Sequence, residues 1–165
     1  EQNLGTVTGI AAVWFGFTDT PDATYWKILS TIFKSTNSEF SHSVTNWKKA
    51  KQKFYDGEID ILVGAYQFEI VENMLRSEVH IDYEVPVSAY GKDEAKLKAQ
   101  LAGDEPATVC YPLGYDFNQW LPATIVNYEV PTFFDCERLF VAGKVDILMN
   151  YSRIDLFTIV LMEYS

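Results

Sequence analysis

The chain has 165 residues, a formal net charge of -10 and a sequence pI near 4.5. Its 48 % hydrophobic content is enough for a buried core and too high for a disordered chain. The acidic balance excludes the basic face that a duplex nucleic-acid binder needs, and no apolar run reaches the roughly 18 residues of a membrane helix, so this segment has no direct membrane insertion. Thr6 to Phe17 is apolar and β-rich and predicts a first strand. In Thr20-Pro21-Asp22, Thr20 is the expected N-cap and Pro21 the first helical residue, with Trp26, Leu29, Ile32 and Phe33 on one face of a helix to about Thr36. Glu39 to Thr45 predicts a strand. Asn46 caps a second helix through Phe54, stopped at Asp56-Gly57. The basic cluster Lys48, Lys49, Lys51 and Lys53 reads as a solvated helix face. Ile59 to Tyr66 is a nearly continuous apolar strand.

The chain is expected to pass a joint near Val85 to Lys92, marked by Pro86 and Gly91. Beyond it, Lys92 to Leu101 predicts an amphipathic helix and Ala107 to Tyr111 a strand. Phe117 to Leu121 predicts the start of a helix, Thr124 to Glu129 a strand, Phe133 to Ala142 a helix and Val145 to Met149 a strand. Strands alternating with helices predict mainly parallel sheets with right-handed crossovers. Cys110 and Cys136 lack CxxC spacing, so a zinc site is not expected. A disulfide and two buried thiols both stay open. His42 and His80 show no metal-ligand spacing. The start at Glu1-Gln2, with no initiator Met or signal peptide, suits a mature or trimmed export product, and a cloning boundary would look the same.

One internal match organises these elements. Phe54-Tyr55-Asp56-Gly57-Glu58-Ile59-Asp60-Ile61-Leu62 recurs as Phe140-Val141-Ala142-Gly143-Lys144-Val145-Asp146-Ile147-Leu148. In each copy Gly permits the positive φ of a helix exit, and Asp is placed to bond free backbone donors at a strand entrance. Two copies after similar β-α runs predict two lobes of related design, residues 1–87 (the N-terminal part of lobe one) and 88–165 (lobe two).

The order and spacing of these motifs resemble the type II periplasmic solute-binding proteins of amino-acid ABC transporters. The resemblance rests on Gly57 to Val63, on Arg76-Ser77-Glu78-Val79-His80-Ile81-Asp82-Tyr83, on Leu139 to Asp146 and on the turn Gly114-Tyr115-Asp116-Phe117. It implies a two-lobed α/β clamp in the periplasm that captures a small polar ligand, an amino acid or a relative, for a membrane transporter. It implies no cofactor and no catalysis. The family's Ser/Thr-rich segment after the lobe-one strand reads Gly64-Ala65-Tyr66-Gln67-Phe68-Glu69 here, and Arg76 follows it late. The resemblance also implies a C-terminal return to lobe one that is missing before Ser165, so a truncated chain, or completion by another element, is expected.

Ligands of open α/β sheets sit beyond the carboxyl ends of the strands. That rule nominates Trp14, Phe15 and Phe17 as a stacking wall, with core packing as their ordinary alternative. Tyr66 and Gln67 bring polar tips to the end of the third strand. Arg76 is suited to grip a carboxylate and is equally suited to an exposed surface. Tyr115 and Asp116 follow a Gly turn, and Tyr151 and Asp155 follow the last strand. Either Asp can hold an ammonium group or act only as a local cap. No Gly-x-Ser-x-Gly, phosphate-binding Gly loop or His-Glu-x-x-His occurs, so an enzyme is not expected. The rival readings are the ligand-sensing domain of a membrane signalling protein, and a clamp without a ligand role.

Overall fold

The computed structural model describes residues 5–81 and 87–151, and the backbone of Val160–Tyr164. The chain divides into two compact units, Glu1–Tyr83 and Glu84–Ser165, each with its own sheet.

Unit one begins with β1 (Thr6–Ala11), α1 (Thr24–Ser35), β2 (Glu39–Val44), α2 (Trp47–Tyr55) and β3 (Ile61–Leu62). Its strands are parallel in the order β2-β1-β3. Parallel pairing follows from the intervening helices, which carry the chain back before each new strand. Trp26 and Leu29 of α1 are buried against Ala11, Ala23 and Val63. Burial of each large side chain contributes about 2–3 kcal/mol. Asn46 caps α2 as expected, its side chain accepting the Lys49 N–H at 2.9 Å.

Several predicted boundaries are corrected. β1 stops at Ala11 rather than Phe17, because the buried Thr18 hydroxyl donates to the Ala12 carbonyl (2.7 Å) and accepts the Trp14 N–H (2.8 Å), folding the chain back. α1 starts at Thr24, with Ala23 at the N-cap. The Thr20 hydroxyl instead donates to the Asp22 carboxylate at 3.1 Å. The long strand expected over Ile59 to Tyr66 is reduced to Ile61–Leu62, since Gly64 turns into positive φ (+83°). Lys51 is not on a solvated face. It lies on the buried side of α2 with Trp47 and Ala50.

Unit two contains β4 (Val87–Gly91), α3 (Glu94–Ala102), β5 (Ala107–Pro112), β6 (Ile125–Val130), α4 (Phe133–Val141), β7 (Ile147–Asn150) and β8 (Val160–Tyr164). The strand order is β6-β5-β7-β4-β8. β5 pairs in parallel with β6 and β7, while β4 runs antiparallel to β7 and β8. The stretch expected as a joint therefore holds a strand: Val87-Ser88-Ala89-Tyr90 suits a sheet interior, and its last three residues are buried. The expected helix at Phe117 is a single 3-10 turn, Phe117–Trp120. The core gathers Tyr90, Phe140, Val145 and Leu148 around a Cys110–Cys136 disulfide that ties β5 to α4.

The repeated sequence is a repeated structure. Gly57 (φ +74°) and Gly143 (φ +68°) close α2 and α4 with the same hydrogen-bond pair. The Glu58 N–H reaches the Lys53 carbonyl (3.0 Å) and the Gly57 N–H the Phe54 carbonyl (3.0 Å). Lys144 reaches Leu139 (2.8 Å) and Gly143 reaches Phe140 (3.0 Å) in the same way. Three residues after Gly57 the Asp60 carboxylate accepts the N–H and hydroxyl of Thr8, both at 2.8 Å, on the neighbouring strand. Asp146 accepts the N–H (2.9 Å) and hydroxyl (3.0 Å) of Thr108. Each Thr hydroxyl also accepts the backbone N–H of its Asp at 3.1 Å. The registers agree, Gly9 facing Ile61 and Val109 facing Ile147. Each unit thus locks the strand after the repeat to its parallel neighbour, β3 to β1 and β7 to β5.

Candidate functional site

In unit one the loops leaving the carboxyl ends of β1 and β3 meet. Trp14, after β1, stands against Trp47 of α2, ring centroids 5.4 Å apart. The same ring covers Gly64, where a Cβ would lie 2.5 Å from the indole, so only glycine admits this contact. The Trp47 Nε1–H donates to Glu69 Oε1 at 2.7 Å. Lys51 Nζ lies 3.1 Å from that oxygen. Glu69 Oε2 accepts the Tyr66 N–H at 2.9 Å, and the Tyr55 hydroxyl donates to the Glu69 carbonyl at 3.0 Å. Glu69 and Lys51 are 6 % and 8 % exposed. A buried ion pair of this kind holds only when its remaining donors and acceptors are satisfied, and here the carboxylate has three partners.

The loop so fixed presents Tyr66, stacked on Phe68 at 5.7 Å, and Gln67, whose side-chain oxygen accepts from Arg76 Nη1 at 3.0 Å. Arg76 is exposed. Among the described residues its guanidinium has a neutral amide and no carboxylate as partner. The structure thus brings Trp14, Tyr66, Gln67 and Arg76 into one connected network. Phe15 is 93 % exposed and stands apart from it. Phe17 packs on Tyr25 of α1 at 5.0 Å and remains partly exposed.

In unit two, Tyr115 is buried among Phe117, Phe133 and Tyr151, with ring centroids 5.1 to 5.9 Å from it. The structure therefore joins Tyr115 to Tyr151 in an aromatic cluster. Asp116 is exposed at φ +55°, the sharp point of the turn after β5. Beside this turn the buried Tyr111 hydroxyl donates to Asn118 Oδ1 at 3.4 Å. Burial, and then the negative charge of Glu129, push the Tyr111 phenol up to about 12, so it is a neutral donor at physiological pH. Asp155 lies outside the described residues.

Sequence reasoning missed Thr18, Trp47, Lys51 and Glu69, which hold the unit-one loops. A signal for Lys51 was present. Trp47, Ala50, Lys51 and Phe54 recur at helical spacing, which puts the lysine on the apolar side. His42 stacks on Trp26 at 4.4 Å, and burial lowers its pKa from the usual 6.5. Among the described residues no group of three His, Cys, Asp or Glu side chains is placed to hold a metal ion. No described helix is long and apolar enough to cross a membrane.

No family model and no curated protein matches the chain in sequence. Solved structures do match. An arginine-bound point mutant of ArgBP from T. maritima aligns with a TM-score of 0.68 at 13 % identity, over 90 % of this chain and 73 % of that one. The substrate binding protein of an amino acid ABC transporter aligns at 0.61 and 12 %, over 88 % and 69 %. A Salmonella typhimurium periplasmic binding protein of high arginine specificity aligns at 0.59 and 9 %, over 88 % and 69 %. At these identities the likeness is one of architecture: this chain has the α/β fold of the type II periplasmic solute-binding proteins of amino-acid transporters.

Proposed function

We propose that the chain is an extracytoplasmic solute-binding protein. It captures a small polar molecule carrying a carboxylate, an amino acid or a relative, between lobes formed by residues 1–87 and 88–165, and presents it to an ABC-type transporter without chemical change. The observation that carries this reading is the fold likeness to amino-acid-binding proteins over 88–90 % of the chain. The Cys110–Cys136 disulfide supports an oxidising, extracytoplasmic setting.

Arg76 is the proposed anchor. Its planar fork matches a carboxylate bidentately, and among the described residues its side-chain partner is the neutral amide of Gln67. Trp14 and Tyr66 supply flat apolar surface beside it. Tyr115, Asp116, Tyr151 and Asp155 are the proposed contribution of lobe two, with an Asp placed to meet an ammonium group. Hinge closure, the motion known for periplasmic binding proteins, would couple the two sets of contacts, because contacts made by both lobes exist only in the closed form.

A thermal-shift screen of the twenty standard L-amino acids tests the proposal. A ligand bound only by the folded chain at about a hundred times its Kd stabilises by about 2.7 kcal/mol, a readily measured rise in melting temperature. Arg76→Ala should reduce affinity for the best ligand by about tenfold or more, the worth of a charge-assisted hydrogen bond. Unchanged affinity removes Arg76 from the site. No stabilisation by any of the twenty removes the amino-acid reading.

A further inference from the structure

Glu69 is the most thoroughly engaged carboxylate among the described residues of unit one, yet it is buried and bonds the candidate residues only through the backbone N–H of Tyr66. Its role lies in what its partners carry. Oε1 takes the Trp47 Nε1–H and the Lys51 ammonium, both from α2. Oε2 takes the backbone N–H of Tyr66, at the start of the 3-10 turn Gln67–Glu69. One carboxylate therefore bolts the loop after β3 to a helix, at the residue before the one whose side chain holds Arg76. Trp47 in turn backs Trp14, so the loop after β1 rests on the same helix.

We propose that Glu69 is the positioning residue of this end of unit one: its buried carboxylate fixes Tyr66 and Gln67, and through Gln67 the guanidinium of Arg76. The consequence for a ligand rests on the solute-binding reading above, but the positioning itself does not. Charge is essential to it. A carboxylate can accept on both oxygens at once. Glutamine of the same shape offers one acceptor, and its amide NH2 would face donors on the other side. Glu69→Gln can therefore keep α2 or the Tyr66 N–H, and not both.

Hydrogen exchange read by mass spectrometry on the whole chain tests this without a ligand. In Glu69→Gln, amides of residues 64–68 should exchange about tenfold faster or more, as loss of a charge-assisted hydrogen bond implies. Amides of β1 and β2 should keep their wild-type rates. Trp47→Phe keeps an aromatic ring, smaller than the indole, and deletes the N–H donor. It should shift the same amides in the same direction by less, and it decides the matter if Glu69→Gln does not fold. Unchanged exchange over 64–68, or a uniform rise across unit one, overturns the proposal.

Calorimetric titration with L-arginine supplies a second arm. If the wild type binds it, Glu69→Gln and Arg76→Ala should each weaken binding, and the double variant should be no weaker than Arg76→Ala alone, because both remove the same contact. Full additivity overturns the coupling. If the wild type does not bind L-arginine, that failure counts against the ligand and not against Glu69, whose positioning role the exchange rates support or overturn by themselves.

Discussion

The two units share a framework and differ in what braces it. At the entrance of β3 and of β7 an Asp holds a Thr of the parallel neighbouring strand, after a glycine-terminated helix. At the other end of the strands the units diverge. Unit one fixes its loops with a buried ion pair, Lys51–Glu69, and an indole donor. Unit two ties β5 to α4 with a disulfide and fills the turn after β5 with packed rings. The entrance device has one geometric task, holding two parallel strands in register, and one solution serves twice. The far ends hold loops of different length and sequence, and each needed its own brace.

The disulfide should show the largest difference between the units. Cys110 and Cys136 are 26 residues apart, and closing a loop of that size stabilises by about 3.5 kcal/mol in the chain-entropy account. Reduction, or Cys110→Ser with Cys136→Ser, should lower the stability of unit two in chemical denaturation by that amount and leave exchange protection in β1 and β2 unchanged. Equal losses in both units would show that they unfold as one.

The Asp clamps should differ less. Asp146→Asn should cost about 1.5–3 kcal/mol, the range for hydrogen bonds to a charged group. Asp60→Asn should cost less, since Asp60 is exposed and Asp146 only half-buried. Hydrogen bonds from the backbone N–H of Thr8 and of Thr108 hold both carboxyls below the usual 3.8. A depressed folded value stabilises above the unfolded value and loses that stabilisation as pH falls. Wild-type stability should therefore be flat near neutrality and drop below about pH 4, with a shallower acid limb in the double Asn variant. An unchanged acid limb would assign acid unfolding to other carboxylates. Smallest, and equal in the two copies, should be Gly57→Ala and Gly143→Ala. Each forces a side chain into left-handed backbone with little steric contact, at about 1–2 kcal/mol. Chemical denaturation of each variant reads these costs.

Much of this framework was legible in the chain itself. The Gly-x-[Ile/Val]-Asp repeat foretold both helix exits and both strand entrances, because each depends on residues within a few positions of one another. The β4 strand was hidden because Pro86 and Gly91 bracket it and suggest a break, while its pairing with β7 and β8 spans long stretches of chain. The early end of β1 was hidden for a different, local reason, since Thr6 to Phe17 is apolar and β-rich throughout. Thr18 folds the loop through hydrogen bonds, and its own carbonyl is held by Trp26 at 3.1 Å. Of the candidate residues, Trp14, Tyr66 and Gln67 could be nominated from their places after strands, and Arg76 from the chemistry of its guanidinium. The brace beneath them could not, since a glutamate on an irregular segment reads as solvated until a lysine and an indole are found facing it.

Native mass spectrometry of the chain with each of the twenty L-amino acids tests solute capture at Arg76 most directly. Capture there predicts a single adduct of one ligand per chain for at least one of them, lost in Arg76→Ala while the fold is retained. An adduct with none, or an adduct undiminished by that substitution, would contradict it.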